Sequence, residues 1–497
     1  MIGLKVAGGW LDLAAGTISM EINNPLFDTE SVPGTITYPF ALVLSPDNLV
    51  RLNFPHLRAD QGERVAPEPT EFYIDGVMRW VGSLVYLEHD EERAQLLYNF
   101  VAEAADLQSR IAGRQLRDLA LGDVPLVLTH DAADYALPCL VNSQFYEAEK
   151  APDYCGVVNQ YTGGTYRPTL YPGNGAVLHS PIVPFLRLVP LLRRVLAAVG
   201  YGLSGEWLNE PEVQALVIYS NRAAEEADAS LPATITLSQY VPDMEVATLL
   251  LALQKFFGLA YTFHPVRREL RIRTLRDVLA DPAYQVRTGG PARSTAVTQQ
   301  GFVLTMATPG DDLDKSLGTS WATLRVGGGQ QELQVEAGTL HVVPTRDPIF
   351  TDREWLVPCA EAKGASLAYE TGDDSSVGLF LLLDRGLQPD KLGQLYPLAT
   401  WGRENGDGFP VGASTLHWDG SFGLYATWHQ AWLDFLDRAT TKERAMQLRV
   451  GALLTLDPTR KELVDGKKYL WEKVSLNLST TGTPLETAQF TYRYCRL

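Results

Sequence analysis

Residues 463–479 read LVDGKKYLWEKVSLNLS, and residues 73–88 read YIDGVMRWVGSLVYLE. Each is a short apolar lead-in, then Asp-Gly, then a long strand-like run. Asp-Gly suits a two-residue hairpin turn, because both central positions of a type I′ turn need positive φ. Beyond the second turn, Val474, Leu476 and Leu478 alternate with Lys473, Ser475, Asn477 and Ser479, the period of a strand with one wet face. Aligning Asp75-Gly76 on Asp465-Gly466 places Trp80 on Leu470, Val81 on Trp471, Leu84 on Val474 and Tyr86 on Leu476. Asp-Gly also occurs at Asp407 and Asp419, so the turn by itself is common. The pair predicts hairpins at equivalent places in two similar small domains.

Working outward, GTISMEINNPLF alternates Ile18, Met20 and Ile22 against Thr17, Ser19 and Glu21, and QLLYNFVAEA offers a partner for the strand after Asp75-Gly76. Near the C-terminus, Phe490, Tyr492 and Tyr494 alternate with Gln489, Thr491 and Arg493. Between these β regions lie two amphipathic helical patterns. Residues 185–199 stripe Leu188, Leu192, Val195, Leu196 and Val199, with Pro190 at a start or kink. Residues 244–257 stripe Val246, Leu249, Leu250, Leu253 and Phe257, with Asp243 as N-cap. Gly200 and Gly258 come next as left-handed caps, and each leads into an aromatic strand-like run. A third helix is predicted over 425–438, with Tyr425, Trp428, Trp432, Phe435 and Leu436 on one stripe. Residues 140–183, rich in Tyr, Gly and Pro, read as an ordered loop layer, and residues 345–415 read as loop-rich.

The fold class predicted is α+β, mostly β: two similar small antiparallel β-barrels bracketing α/β helix-Gly-strand modules. The expected domains are a first barrel over 1–125, the loop layer over 126–183, the α/β modules over 184–290, and a second barrel over 291–497 interrupted at about 340–415. A chain of 497 residues, 45% hydrophobic and 20% charged, can bury several cores without covalent staples. Cys139, Cys155, Cys359 and Cys495 form no CxxC or zinc spacing and read as free thiols. No stretch reaches the ~18 apolar residues of a membrane span. Met1–Asn24 lacks the uninterrupted apolar core of a signal peptide, so folding in the cytoplasm is expected. The formal net charge of −17 argues against a general nucleic-acid-binding surface.

No GxSxG, HExxH, P-loop or GxGxxG is present. His130, Asp131 and Asp134 could pair a base with an acid, though a turn is the plainer reading. His417 and His429, twelve residues apart, are not a ligand pair. Asp311, Asp312, Asp314, Asp373, Asp374 and Asp407 sit in acidic loops that lack the alternating pattern of a calcium loop. Gly327–Gly329 precede no helix, so they read as a turn and not a phosphate cradle. Neither cofactor nor metal is expected.

The aromatic helix YATWHQAWLDFLDRAT, together with residues 442–494, resembles the second β-barrel of central hub proteins from the tail tips and baseplates of long-tailed bacteriophages. The matching positions are Asp465, Gly466, Tyr469, Leu470, Glu472, Lys473 and Val474, then Gly482 and the strand from Glu486. LLLALQKFFGLAYTFHPVRRELRIRTL is similar to the α/β modules those hubs carry, and SMEINNPLF with DGVMRWVGSLVYL is similar to their first barrel. The resemblance covers about two-thirds of the chain, and the order of the parts carries it. It implies a structural virion protein at the tail tip, assembled in the host cytoplasm. It implies a homotrimer that adapts a six-fold tail to a three-fold tip and surrounds the DNA conduit. Its partners would be a distal tail or tube ring above and fibre or spike chains below, with double-stranded DNA passing unbound. Because Leu497 directly succeeds a strand, any hydrolase or needle module is expected on another polypeptide. Two other readings compete: a glycan-active enzyme or carbohydrate-binding β protein using residues 140–180, and a peripheral baseplate or adhesin subunit.

Overall fold

The computed structural model describes all residues except 1, 28–34, 38, 103–106, 108–109, 148, 150, 174, 265–266, 296–300, 311, 348, 369–376, 450–451, 453–455, 481–484 and 495–497. Asp311, Asp373, Asp374, Gly482 and Cys495 therefore lie outside the described residues. The chain divides into two compact units. Unit 1 gathers residues 1–112, 260–299 and 431–497; unit 2 gathers 113–259 and 300–430. Residues 300–430, expected from the sequence to belong with the C-terminal β region, cluster instead with 113–259.

Unit 1 is built on one fourteen-stranded sheet. Its strands are β1 (Ile2–Val6), β2 (Gly9–Trp10), β3 (Thr17–Asn23), β4 (Thr35–Thr37), β5 (Phe40–Val43), β6 (Glu68–Ile74), β7 (Val77–Asp90) and β8 (Gln95–Ala102). They continue with β9 (Tyr284–Arg287), β10 (Ala292–Thr295), β11 (Thr441–Arg449), β12 (Lys461–Val464), β13 (Lys467–Ser479) and β14 (Leu485–Tyr494). Both predicted hairpins are present, as β6–β7 and β12–β13.

Two circuits of hydrogen-bonded strands run within this sheet. In the first, β1, β6, β7, β8 and β5 pair in succession. The stretch after β2 then returns to β5 through the Leu13–Leu42 bridge. Bonds from Ala14 N to Ala41 O (3.1 Å) and from Val43 N to Asp12 O (3.0 Å) flank that bridge. In the second circuit, β12, β13, β14 and β11 pair in succession and β10 lies on β11. The chain turns between β9 and β10, and β9 lies parallel on β12. The sequence predicts two separate barrels; the structure joins its two circuits, because β3 pairs β13 along Thr17–Asn23 and β4 links β3 to β8. One apolar core runs through both, with Leu4, Phe72, Trp80 and Phe100 on one side and Tyr469, Val474, Phe490 and Tyr492 on the other. Each such side chain contributes about 1.5–3 kcal/mol by leaving water.

The corner between β9 and β10 depends on two glycines. A Cβ at Gly290 would stand 2.4 Å from the Ala445 carbonyl oxygen, and one at Gly289 would stand 2.5 Å from Val464 Cγ1. A backbone oxygen cannot rotate aside, so Gly290→Ala is expected to cost about 1–3 kcal/mol, the usual range for overpacking. Urea unfolding of the variant measures it; an unchanged midpoint would show that the corner yields freely.

Unit 2 holds an eight-stranded sheet ordered 135–136, 185–187, 216–218, 379–389, 331–338, 302–307 and 323–326, with 395–400 added on 379–389. A second sheet is ordered 157–158, 140–141, 354–359 and 341–346. Helices Leu188–Ala198 and Val246–Phe257 bury the predicted apolar stripes. The sequence predicts loops over 345–415, and here the structure differs. Strands 354–359, 379–389 and 395–400 lie in that stretch, and Leu379–Leu383 are all buried. An uninterrupted apolar run has no period of two because it is covered on both faces. Asp243 is not the N-cap of the second helix. Its carboxylate faces Arg117 at 3.2 Å, and Glu245 takes the capping position with no side-chain cap bond.

Candidate assembly surface and cleft

The two hairpins share turn geometry and, farther along their long strands, the same inward pairs. Asp75 and Asp465 both have φ of 49°, then Gly76 has 79° and Gly466 has 74°. Beyond the turns, Leu84 faces Phe100 across β7–β8, and Val474 faces Phe490 across β13–β14. The next inward pairs are Tyr86–Tyr98 and Leu476–Ala488. The gapless alignment thus holds from Leu84 and Val474 to Tyr86 and Leu476. Nearer the turns it is offset by one. The β6–β7 register slips at Arg79, so Trp80 faces Phe72, whereas Tyr469 faces Glu462 and the slip comes later, at Glu472. Between the turn and Leu84 or Val474 each strand carries one extra residue at a different place, and the two cancel; β7 slips a second time at Leu87.

Charged side chains hold the second circuit together. The buried Glu462 accepts from Arg287 and from the Tyr492 hydroxyl. Arg444 bonds Asp465 in the turn and the Gly290 carbonyl at 2.9 Å, tying hairpin to corner. Lys461 donates to the Leu279 and Asp281 carbonyls. Asp465 is thus a structural anchor as well as a turn residue, which its sequence context did not reveal.

The sequence-nominated polar residues of unit 2 do not converge. Asp131 accepts from the Thr129 hydroxyl, which holds its exposed carboxyl below the ordinary range. Asp134 is held by Arg194 at 2.9 Å, and the His130 carbonyl accepts from Arg187 at 3.5 Å. His417 is stacked between Trp401 and Trp321, at 3.6 and 4.8 Å. His429 is buried and donates from Nε2 to the Phe256 carbonyl at 3.1 Å. Asp314 meets His341 at 2.7 Å, and Asp312 pairs Lys315 at 2.6 Å in a helical turn over 312–317. Gly327 and Gly329 form a turn, both with φ of 61°. Cys139 and Cys155 are free thiols, Cys359 is buried, and burial pushes Cys155 up to about 11. Among the described residues, no three His, Cys, Asp or Glu side chains gather as a metal site, and no helix is long and apolar enough to cross a membrane.

The sequence did not point to a cleft of about 670 Å³ in unit 2. Asp243, Glu245 and Glu336 line it with Arg117, Thr248 and Met306, and among the described residues no aromatic side chain does. In the loop layer, Tyr146, Tyr161 and Tyr166 are buried, and Tyr161 packs edge-on against Tyr166 at 4.9 Å. Among the tyrosines of residues 140–183 only Tyr171 is exposed.

No family model matches the chain, and no curated protein matches it. Solved structures do. The 43 kDa tail protein of prophage MuSo2 from Shewanella oneidensis is 9% identical, with a TM-score of 0.37, covering 99% of this chain and 95% of that one. A tail protein from Neisseria meningitidis MC58 is 10% identical, with a TM-score of 0.37 and the same coverage. The E. coli c3393 protein is 8% identical, with a TM-score of 0.32, covering 99% of this chain and 77% of that one. It is described as a type VI secretion component structurally similar to the T4 bacteriophage tail proteins gp27 and gp5.

Proposed function

We propose that this chain is a structural subunit of a bacteriophage tail tip or baseplate, a trimeric hub around the DNA conduit, and not an enzyme. The observation that carries the reading is the repeated circuit. Two hairpins almost four hundred residues apart in sequence share turn geometry, two successive inward pairs beyond the turns and one sheet. If each circuit is a small barrel, three chains present six similar units, and a three-fold assembly gains a near six-fold face for a six-fold ring. The distal tail or tube ring would then sit on that face, and fibre or spike chains would sit below.

Charge fits this role. Unit 2 holds 17 Lys and Arg against 32 Asp and Glu, whereas unit 1 holds 25 against 27. An acidic surface lets DNA slide, since each phosphate contact would add a salt-dependent barrier. A glycan-active reading needs rings to stack on a sugar. Among the described residues the cleft has no aromatic lining, and most tyrosines of the loop layer are buried.

Light scattering of the purified chain, together with averaged particle images, tests the proposal. Three-fold particles without hydrolytic clearing on peptidoglycan are expected. A monomer at every condition, or a cleared zymogram band, would overturn it.

A further inference from the structure

We infer that His56 and His89 form a site for one divalent transition cation of the zinc, copper or nickel class, and that the ion pins the helix Pro55–Asp60 to the far end of β7. The inference concerns unit 1 alone and does not depend on the tail reading. It starts from the strand. Leu84, Tyr86 and His89 stand opposite Phe100, Tyr98 and Leu96, and these three partners are buried. Strict alternation after Tyr86 would turn Glu88 to that inner face. The second slip of β7, at Leu87, gives the place to His89 and sends Glu88 to the other side, opposite Leu97. The helix brings His56 to the same spot, with its ring centre 4.8 Å from that of His89. Asn53 and Phe54, both in the left-handed region with φ of 55° and 49°, set the angle at which the chain enters this helix.

The two rings are tilted by 55° and do not stack. His56 Nδ1 and His89 Nε2 are buried, and among the described residues neither has a hydrogen-bond partner. An N–H···N bond between them would satisfy both atoms, and that bond is not made. Two buried ring nitrogens left unpaired are costly, and one ion can take a lone pair from each. The spacing fits. An imidazole nitrogen binds zinc at about 2.1 Å, which sets two rings on one ion roughly 4.5–5.2 Å apart, centre to centre, for bond angles from square-planar to tetrahedral. Imidazole suits zinc, copper and nickel, whereas magnesium and calcium seek oxygen. Among the described residues no third His, Cys, Asp or Glu joins the pair, so water fills the remaining positions. Nearby carboxylates supply charge rather than bonds. Burial first, then the charges of Asp60 and Glu88, raise the Tyr86 hydroxyl above its ordinary value, which puts both acids close to this end of β7. The neighbouring cations are engaged elsewhere, Arg58 with Glu63 and Arg93 with Asp90. Far apart in sequence, the two histidines form no motif, so the sequence did not point to them.

The test uses the full chain at neutral pH after treatment with a chelator. Zinc(II) is titrated by calorimetry into the wild type, His56→Ala, His89→Ala and, as a control from unit 2, His130→Ala. An equal urea midpoint without metal confirms that each variant folds. One zinc ion should bind per chain. His56→Ala and His89→Ala should each bind it at least tenfold more weakly, with His130→Ala unchanged. Zinc should raise the urea midpoint of the wild type and leave those of His56→Ala and His89→Ala in place, because only the folded pair presents both nitrogens. Magnesium and calcium should give no heat at the same concentrations. The electron paramagnetic resonance spectrum of one equivalent of copper(II) on the wild type requires no variant, and it should show two coordinated nitrogens. Zinc bound equally by the wild type and both variants, no zinc bound at millimolar concentration, or a copper spectrum without nitrogen would each overturn the inference.

Discussion

Replacing Arg353 by Met should cost unit 2 about 3–5 kcal/mol, the usual penalty for leaving a buried charge without its partner. The guanidinium is 3% exposed. Its Nε meets Asp390 at 2.7 Å, and Nη1 lies 3.7 Å from Asp347. Nη1 also donates to the Tyr161 carbonyl at 3.2 Å and to the Thr162 hydroxyl at 3.1 Å. Gln160 bonds Asp347 from the same loop at 2.9 Å. One cation therefore balances two buried carboxylates and fastens the Tyr-Gly-Pro layer to the strands around 354–359. Methionine keeps much of the volume and removes the charge, so two acids would have to protonate, rehydrate or move. Urea unfolding monitored by tryptophan fluorescence reads the loss, because the guanidinium lies 5.3 Å from the Trp355 ring. Adding Asp347→Asn and Asp390→Asn should recover a large part of the lost stability. If Arg353→Met alone leaves the midpoint in place, the network is not what holds this layer.

What could be read from the sequence had a local cause. Asp-Gly demands positive φ at two successive positions, and both turns have it. Helix stripes repeat every three to four residues, so the two buried helices were legible, as was the left-handed cap at Gly258. What could not be read was long-range. The Leu379–Leu383 run has no period, and its parallel partner strand begins more than forty residues earlier, at Gln331. Closure of the second circuit depends on a glycine corner far in sequence from the strands it touches. Arg353 and its partners are scattered over residues 160–390, each an ordinary polar residue by itself.

Acid should destabilise unit 2 through its histidines well before carboxylates are fully protonated. Burial lowers His429 from its ordinary value to about 4, and the Phe256 carbonyl only partly offsets this. Burial, with His341 nearby, lowers His417 to about 3. In the unfolded chain both titrate near 6.5. Between that value and about 4 the unfolded chain binds protons that the folded chain refuses, so stability falls as pH falls. Above about 6.5 both states are neutral and the histidines impose no pH slope. For His429 the loss accumulates to about 3 kcal/mol by pH 4, at 1.36 kcal/mol per pH unit. Gln can still donate to the Phe256 carbonyl but cannot take up a proton. His429→Gln should therefore cost some packing at pH 7 yet flatten the decline between pH 6.5 and 4 by close to one proton's slope. Urea midpoints measured at half-unit steps of pH decide it. A variant that loses stability on acidification as steeply as the wild type would show that His429 takes up its proton inside the fold. The contact between its ring edge and Trp418, 5.3 Å away, would then have to open before unfolding begins.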